Sequence, residues 1–240
     1  MLEAGRSVQV EAGGGWLRGQ RASLAGTEGT LVEAGSFRAF WRTGRVVLEA
    51  GGTVRRFFDE ERSFAPPEPF VQPADDGDRS DSGDYRVATA VRLTGEGAPV
   101  AAILRFGARL PTTDNRVGLD RDATDFFATV GARAARGRAS LAAEAGVGIF
   151  GTRDPEFEQD DLLVYALCAE LDAGPVVPSL AVLGQQVGTA HEEIRGNESL
   201  GEVRLGFRTT GRWFVRAELV AGYTDFSPSS GVLVSAGMRR

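Results

Sequence analysis

The sequence predicts an all-β fold: a transmembrane up-and-down antiparallel β-barrel of about twelve strands, with residues 1–240 forming a single domain. Three observations lead there. Apolar residues recur at every second position over segments of about ten residues, the length a tilted strand needs to cross a bilayer. The connections between segments alternate between short and long, as they do when hairpins are laid side by side. In the better segments charged residues gather on one face and leave the other almost purely apolar.

The segments follow in order. Ser7–Trp16 alternates weakly and is glycine-rich; in Thr30–Arg42, Phe37, Ala39 and Trp41 share a face. After a tight turn at Gly44, Arg45–Phe58 sets Val46, Leu48, Ala50 and Val54 against Glu49, Thr53 and Arg55. Glu60–Asp84 is proline-rich and acidic and reads as an exposed loop. Tyr85–Thr94 carries Val87, Val91 and Leu93 opposite Arg86 and Arg92, and beyond a GEGAP turn Val100, Leu104 and Phe106 alternate with Arg105 and Arg109. Leu110–Thr124 is a second long loop, followed by Asp125–Ala134, a turn at Gly137, and a strand in which Leu141, Val147 and Ile149 oppose Ser140 and Glu144.

Beyond the charged loop Thr152–Asp161, Leu163, Tyr165, Leu167 and Leu171 form a stripe opposite Glu170. Val176–Gln186 is the weakest strand, because it holds Pro178 and both faces are mixed. After the polar loop Val187–Leu200, Val203, Leu205 and Phe207 alternate with Glu202, Arg204 and Arg208. Trp213–Tyr223 opposes Val215, Leu219 and Ala221 to Arg216 and Glu218, and Val232, Val234 and Met238 end the last strand.

Composition agrees with a membrane barrel. Mean hydropathy is only -0.15, and no run of about 18 apolar residues exists, which excludes a transmembrane helix. In a barrel the two faces cancel in any such average. All 27 basic residues are Arg and the net charge is -6, so nothing attracts nucleic acid. Cys168 is the one cysteine and makes no internal disulfide; inert packing is its expected role. Met1 is followed by LEAGRSVQV, with no basic or apolar leader region, so the chain is expected to be a mature or shortened form.

Charge assigns the faces. An Arg at mid-bilayer costs about 2–4 kcal/mol, so Arg86, Arg92, Arg105, Arg109, Glu144, Glu170, Glu202, Arg204, Arg208, Arg216 and Glu218 are expected to line the lumen. Tyr85, Trp213 and Tyr223 stand near strand ends, at the depth of interfacial aromatics. A soluble barrel would invert the faces, but twelve strands enclose a bore too wide for Ala, Val and Leu to fill. The lumen charges admit two readings, an ion-pair network that fills the bore or a lining that attracts anionic solutes. Short turns belong on the periplasmic side, which puts both termini there.

Other polar clusters point to no chemistry. Asp75, Asp76, Asp78, Asp81 and Asp84 lack the glycine and terminal Glu of an EF-hand, so no metal is expected. Asp114, Asp120, Asp122 and Asp125 suit local turn capping. His191, the single histidine, lies among Glu192 and Glu193 near Ser199, with no strand-borne serine in fixed relation to it. No GxSxG, P-loop, HExxH or CxxC occurs, and neither catalysis nor a cofactor is expected.

Arg105–Phe127 reads RFGARLPTTDNRVGLDRDATDFF. It resembles a segment of Gram-negative outer-membrane barrels grouped as phenol-degradation meta-pathway transporters, where a strand ending K-L-P leads into a polar GLG…D-T-D-F loop. Leu110, Pro111, Asp114, Asn115, Gly118, Leu119, Asp122, Thr124, Asp125 and Phe126 match; Arg109 stands for the usual Lys and Asp120 for a common Gly. The chain also ends Met238-Arg239-Arg240, where such barrels finish in an aromatic. The resemblance implies a bacterial outer-membrane channel or uptake barrel for small solutes, aromatic or otherwise apolar, in contact with outer-membrane lipid and lipopolysaccharide. Three functions remain open on these grounds: a passive channel gated by the loops at Glu60–Asp84 and Leu110–Thr124, a structural barrel plugged by Arg–Glu pairs, and a lipid-acting enzyme dependent on His191.

Overall fold

The computed structural model describes residues 6–152, 159–188 and 195–240. Its strands are β1 Ser7–Ala22, β2 Thr27–Thr43, β3 Val46–Ser63, β4 Asp78–Asp81, β5 Tyr85–Arg92, β6 Val100–Leu110, β7 Asp125–Arg136, β8 Ala139–Gly151, β9 Gln159–Leu171, β10 Val176–Val187, β11 Leu200–Thr209, β12 Trp213–Gly222 and β13 Ser230–Arg239. Each pairs antiparallel with its chain neighbours, and β1 closes the ring on β13 from Gln9↔Arg239 to Arg18↔Ser230. β4 is the exception: it adds to the upper part of β3, through Arg56↔Asp81 to Asp59↔Asp78, above the start of β5. Twelve strands therefore form the wall, and the expected up-and-down barrel is the observed one.

Closure removes the free edges of the twelve-strand wall, so its ladder hydrogen bonds are internal and the outer face can be apolar. That face is greasy: Trp213 is 71% exposed, Val130 62% and Leu205 58%. Among the described residues no helix is long and apolar enough to cross a membrane. Two of the aromatics expected at the interface, Tyr85 and Tyr223, make direct aromatic contacts. Tyr85 packs on Phe37 with ring centroids 5.7 Å apart. Tyr165 and Tyr223 join hydroxyls at 2.6 Å; their rings lie across Gly184 and Gly201, where any β-carbon would collide with them.

Three local differences from the sequence reading have physical causes. First, β1, β2 and β3 are longer than expected, at 16, 17 and 18 residues, well beyond the ten or so that span a bilayer. The connection between β1 and β2 is consequently a tight turn at residues 23–26 rather than a long loop.

Second, the face of β3 reverses. Gly35 has φ of +69° and is skipped in the β1–β2 ladder between Gly13 and Gly14, a bulge of the kind that needs a residue free of β-carbon strain. Beyond it Thr53 and Arg56 both face inward. Arg55, expected beside Thr53, is exposed and donates to Ser80 Oγ at 2.6 Å.

Third, the loop after β3 contains β4. The proline in β10 is tolerated because the ladder to β9 begins one residue later, at Ser179↔Glu170, so no bond there requires the missing N–H.

Candidate functional site

The barrel interior is the candidate site. Strand register puts the eleven residues expected to line the lumen on one face of the wall, the face opposite Leu205 and Val130: Arg86 lies opposite Arg109, Arg105 opposite Thr129, Glu144 opposite Ala166, and Arg208 opposite Arg216. Several of them pair across strands. Arg105 meets Glu49 at 2.9 Å and Glu144 at 3.3 Å, and Arg133 meets Glu170 at 3.3 Å. Arg216 reaches Glu11 of β1 at 3.6 Å, and within single strands Arg204 meets Glu202 at 2.7 Å and Arg216 meets Glu218 at 3.4 Å. The Glu11 side chain is 2% exposed and also pairs with Arg38. Each of these carboxylates is thus held by at least one guanidinium, which offsets the cost of taking charge out of bulk water.

Between these pairs the inner wall carries Gly107, Gly131, Gly146 and Gly206, which project nothing into the bore. Cys168 faces inward too, between Ala142 and Ala181, and is a free, half-buried thiol.

Apolar side chains gather inside the long-loop end. Leu17, Leu31, Phe58 and Val220 project inward from the wall and pack with Ala22 and Ala25 of the β1–β2 turn region. Val71, from the loop after β3, and Leu119, from the β6–β7 loop at residues 111–124, pack against the same cluster. Both loops anticipated as gates therefore reach into the barrel.

Beside that apolar cluster lies a lattice of charge. Arg109 contacts Asp84 at 3.1 Å, Asp120 at 3.2 Å and Asp125 at 2.6 Å. Arg56 contacts Asp120 at 3.1 Å and Glu33 at 3.4 Å. Arg121, 2% exposed, pairs with Asp125 and donates to Gly151 O at 2.9 Å and Gly196 O at 2.6 Å. Burial pushes the Asp120 carboxyl upward, but Arg109, Arg56 and Arg121 outweigh it and hold the group well below the usual carboxylate range. Burial and then repulsion from Asp120 push Asp84 up.

Sequence reading found Arg109 but missed Arg56, Arg121, Glu11, Glu33 and Glu49 as partners. Loop residues carry no periodic signal of which way they fold, and the reversal at Gly35 hides Arg56. Asp114 behaves as expected: it caps the 3-10 turn Asn115–Val117 by accepting from the Arg116 amide at 3.0 Å. Asp120 and Asp125 instead hold arginines. Asp81 accepts the Asp114 amide at 2.8 Å, and no metal-holding cluster occurs among the described residues. His191 lies outside the described residues. Ser199 accepts the Val187 amide at 3.2 Å.

A closed barrel with a greasy outer wall and a charged interior has the architecture of outer-membrane β-barrels. No protein-family model matches the chain, and no curated protein does. Among solved structures it resembles an outer membrane channel from Pseudomonas putida F1 at 13% identity and a TM-score of 0.66, covering 100% of this chain and 97% of the other. Weaker likenesses include OmpT, an outer membrane protein of Vibrio cholerae, at 12% identity and TM-score 0.48 over 98% of both chains. The CymD monoaromatic hydrocarbon channel matches at 11% and 0.47, covering 100% of this chain and 89% of that one. The first of these shares the fold.

Proposed function

We propose that the chain is a passive channel of the bacterial outer membrane that admits small solutes, with both termini on the periplasmic side. One observation carries this reading. Arg86 belongs to the inner face of a closed barrel, yet its side chain is exposed. A charged group open to solvent within the wall marks water-accessible space there. Twelve strands fall between the eight whose side chains fill the bore and the sixteen that leave a wide channel, which suits a narrow path. The resemblance of Arg105–Phe127 to the phenol-degradation meta-pathway transporters, and the likeness to an outer membrane channel, support the same function and suggest small aromatic or apolar cargo. Lipid surrounds the wall, lipopolysaccharide meets the outer half, and no enzymatic step is assigned.

A second reading rests on the apolar cluster and charge lattice of the long-loop end: a structural barrel stoppered by its own loops. Refolding in detergent, confirmed by heat-modifiable migration, followed by liposome swelling with small sugars and aromatic alcohols, separates them. Swelling faster than in protein-free vesicles is expected of the channel. A correctly folded barrel with no flux refutes it in favour of the stopper.

A further inference from the structure

Resting on the channel reading, we infer that the lumen selects small anions and that Arg86 is the group the solute meets. Most inner-face arginines are neutralised: Arg105, Arg109, Arg133, Arg204 and Arg216 each have a carboxylate within 3.4 Å. Among the described residues Arg86, Arg42, Arg92 and Arg208 have none. Arg92 donates only to the Glu96 carbonyl at 3.2 Å, and Arg208 lies 6.0 Å over the Phe214 ring. Among the described residues Arg86 has no hydrogen-bond or ion-pair partner and is solvent-exposed; Asp84 and Asp120 attract it without coming within ion-pair distance.

Their placement gives the excess charge a direction. Arg86 sits directly below the loop lattice, in register with Arg109 and Gly51. Arg42, Arg92 and Arg208 stand at the opposite, short-turn mouth. Cations without an ion-pair partner therefore stand at both ends of the bore. A low-dielectric wall focuses their potential into the lumen, concentrating anions and repelling cations. The guanidinium fork of Arg86, with all its donors free, is complementary to a carboxylate. The solute class that follows is small inorganic anions and short carboxylates, including carboxylates borne on the small aromatic cargo proposed above.

The test is planar-bilayer recording of the refolded full chain across a potassium chloride gradient, repeated with potassium acetate. The reversal potential is expected to report anion preference for both salts. Arg86→Gln should lower the chloride-to-potassium permeability ratio by on the order of tenfold, since the roughly threefold influence of one unit charge felt through water at about 6 Å acts in opposite directions on the two ions. Arg86→Lys should keep the ratio. Because Arg86 holds no partner, the glutamine removes charge without removing a contact, and Arg42→Gln gives a second, independent reduction. A conducting barrel that prefers potassium, or an Arg86→Gln ratio equal to that of the parent, overturns the inference and leaves the channel standing. A heat-modifiable barrel that carries no current overturns both.

Discussion

Arg121→Ala separates the closure at the long-loop end from the barrel that carries it. The Arg121 guanidinium donates to the Gly151 and Gly196 carbonyls and pairs with Asp125, and it stacks 5.1 Å over Phe150. Charge-assisted hydrogen bonds contribute about 1.5–3 kcal/mol each, so three give a gross figure of roughly 5–9 kcal/mol. Two effects reduce it. Asp125 keeps Arg109 at 2.6 Å, and the freed carbonyls hydrate once the loop lifts. A net cost of about 3 kcal/mol remains, the lower end for breaking a buried pair, which corresponds to about a hundredfold shift in loop docking.

The ladders of β6, β7 and β8 do not involve this side chain, so the barrel should stay intact. Hydrogen exchange of residues 111–124 in micelles, read by mass spectrometry, is expected to accelerate about a hundredfold, with heat-modifiable migration preserved and Arg121→Lys intermediate. Unchanged exchange in that loop, or loss of the heat-modifiable form, would refute the reasoning.

Three further outcomes follow from the same structure. Leu205→Arg places a guanidinium on the lipid face of β11 and should lower unfolding free energy in vesicles by about 2–4 kcal/mol; a neutral effect in urea titrations would mean that this face does not meet hydrocarbon. Phe58→Ala empties the centre of the loop-end cluster, where Phe58 is 2% exposed, and should weaken it by about 3–5 kcal/mol, read as raised single-channel conductance over the parent. Acidification should leave the loops docked. Asp120 is depressed, so its contribution is present above the ordinary carboxylate value near 4 and is lost only as pH falls through its lower folded value. Asp84 is raised, so its contribution grows as pH falls and is lost on the alkaline side. Protease cleavage within residues 111–124 should therefore stay slow from pH 7 to about 4; release of the loop near pH 5 would contradict these assignments.

Much of the wall was legible in sequence because a strand has a side-chain period of two. Leu205 and Arg204, or Val130 and Thr129, differ by one residue and must point to opposite faces. Which strand pairs with which followed from the alternation of turns, since hairpins leave few alternatives. The reading slipped where that period breaks. The bulge at Gly35 exchanges Arg55 for Arg56 on the inner face, and a glycine in sequence does not announce its φ. It slipped again where backbone continues beyond the bilayer, as in β1 to β3, because alternation weakens once both faces meet water or loops.

The amino-acid order alone determined a closed β wall, its apolar outside and its charged inside, because bilayer and lumen each impose a solvent on every second residue. Tertiary structure decided which arginines are neutralised and which remain free. Arg105 finds Glu49 from two strands away, Arg109 gathers three aspartates from separate segments, and Arg86 beside it gathers none. Such pairings depend on distances across a curved interior and on how loops fold into it, and those are set only once the ring is closed.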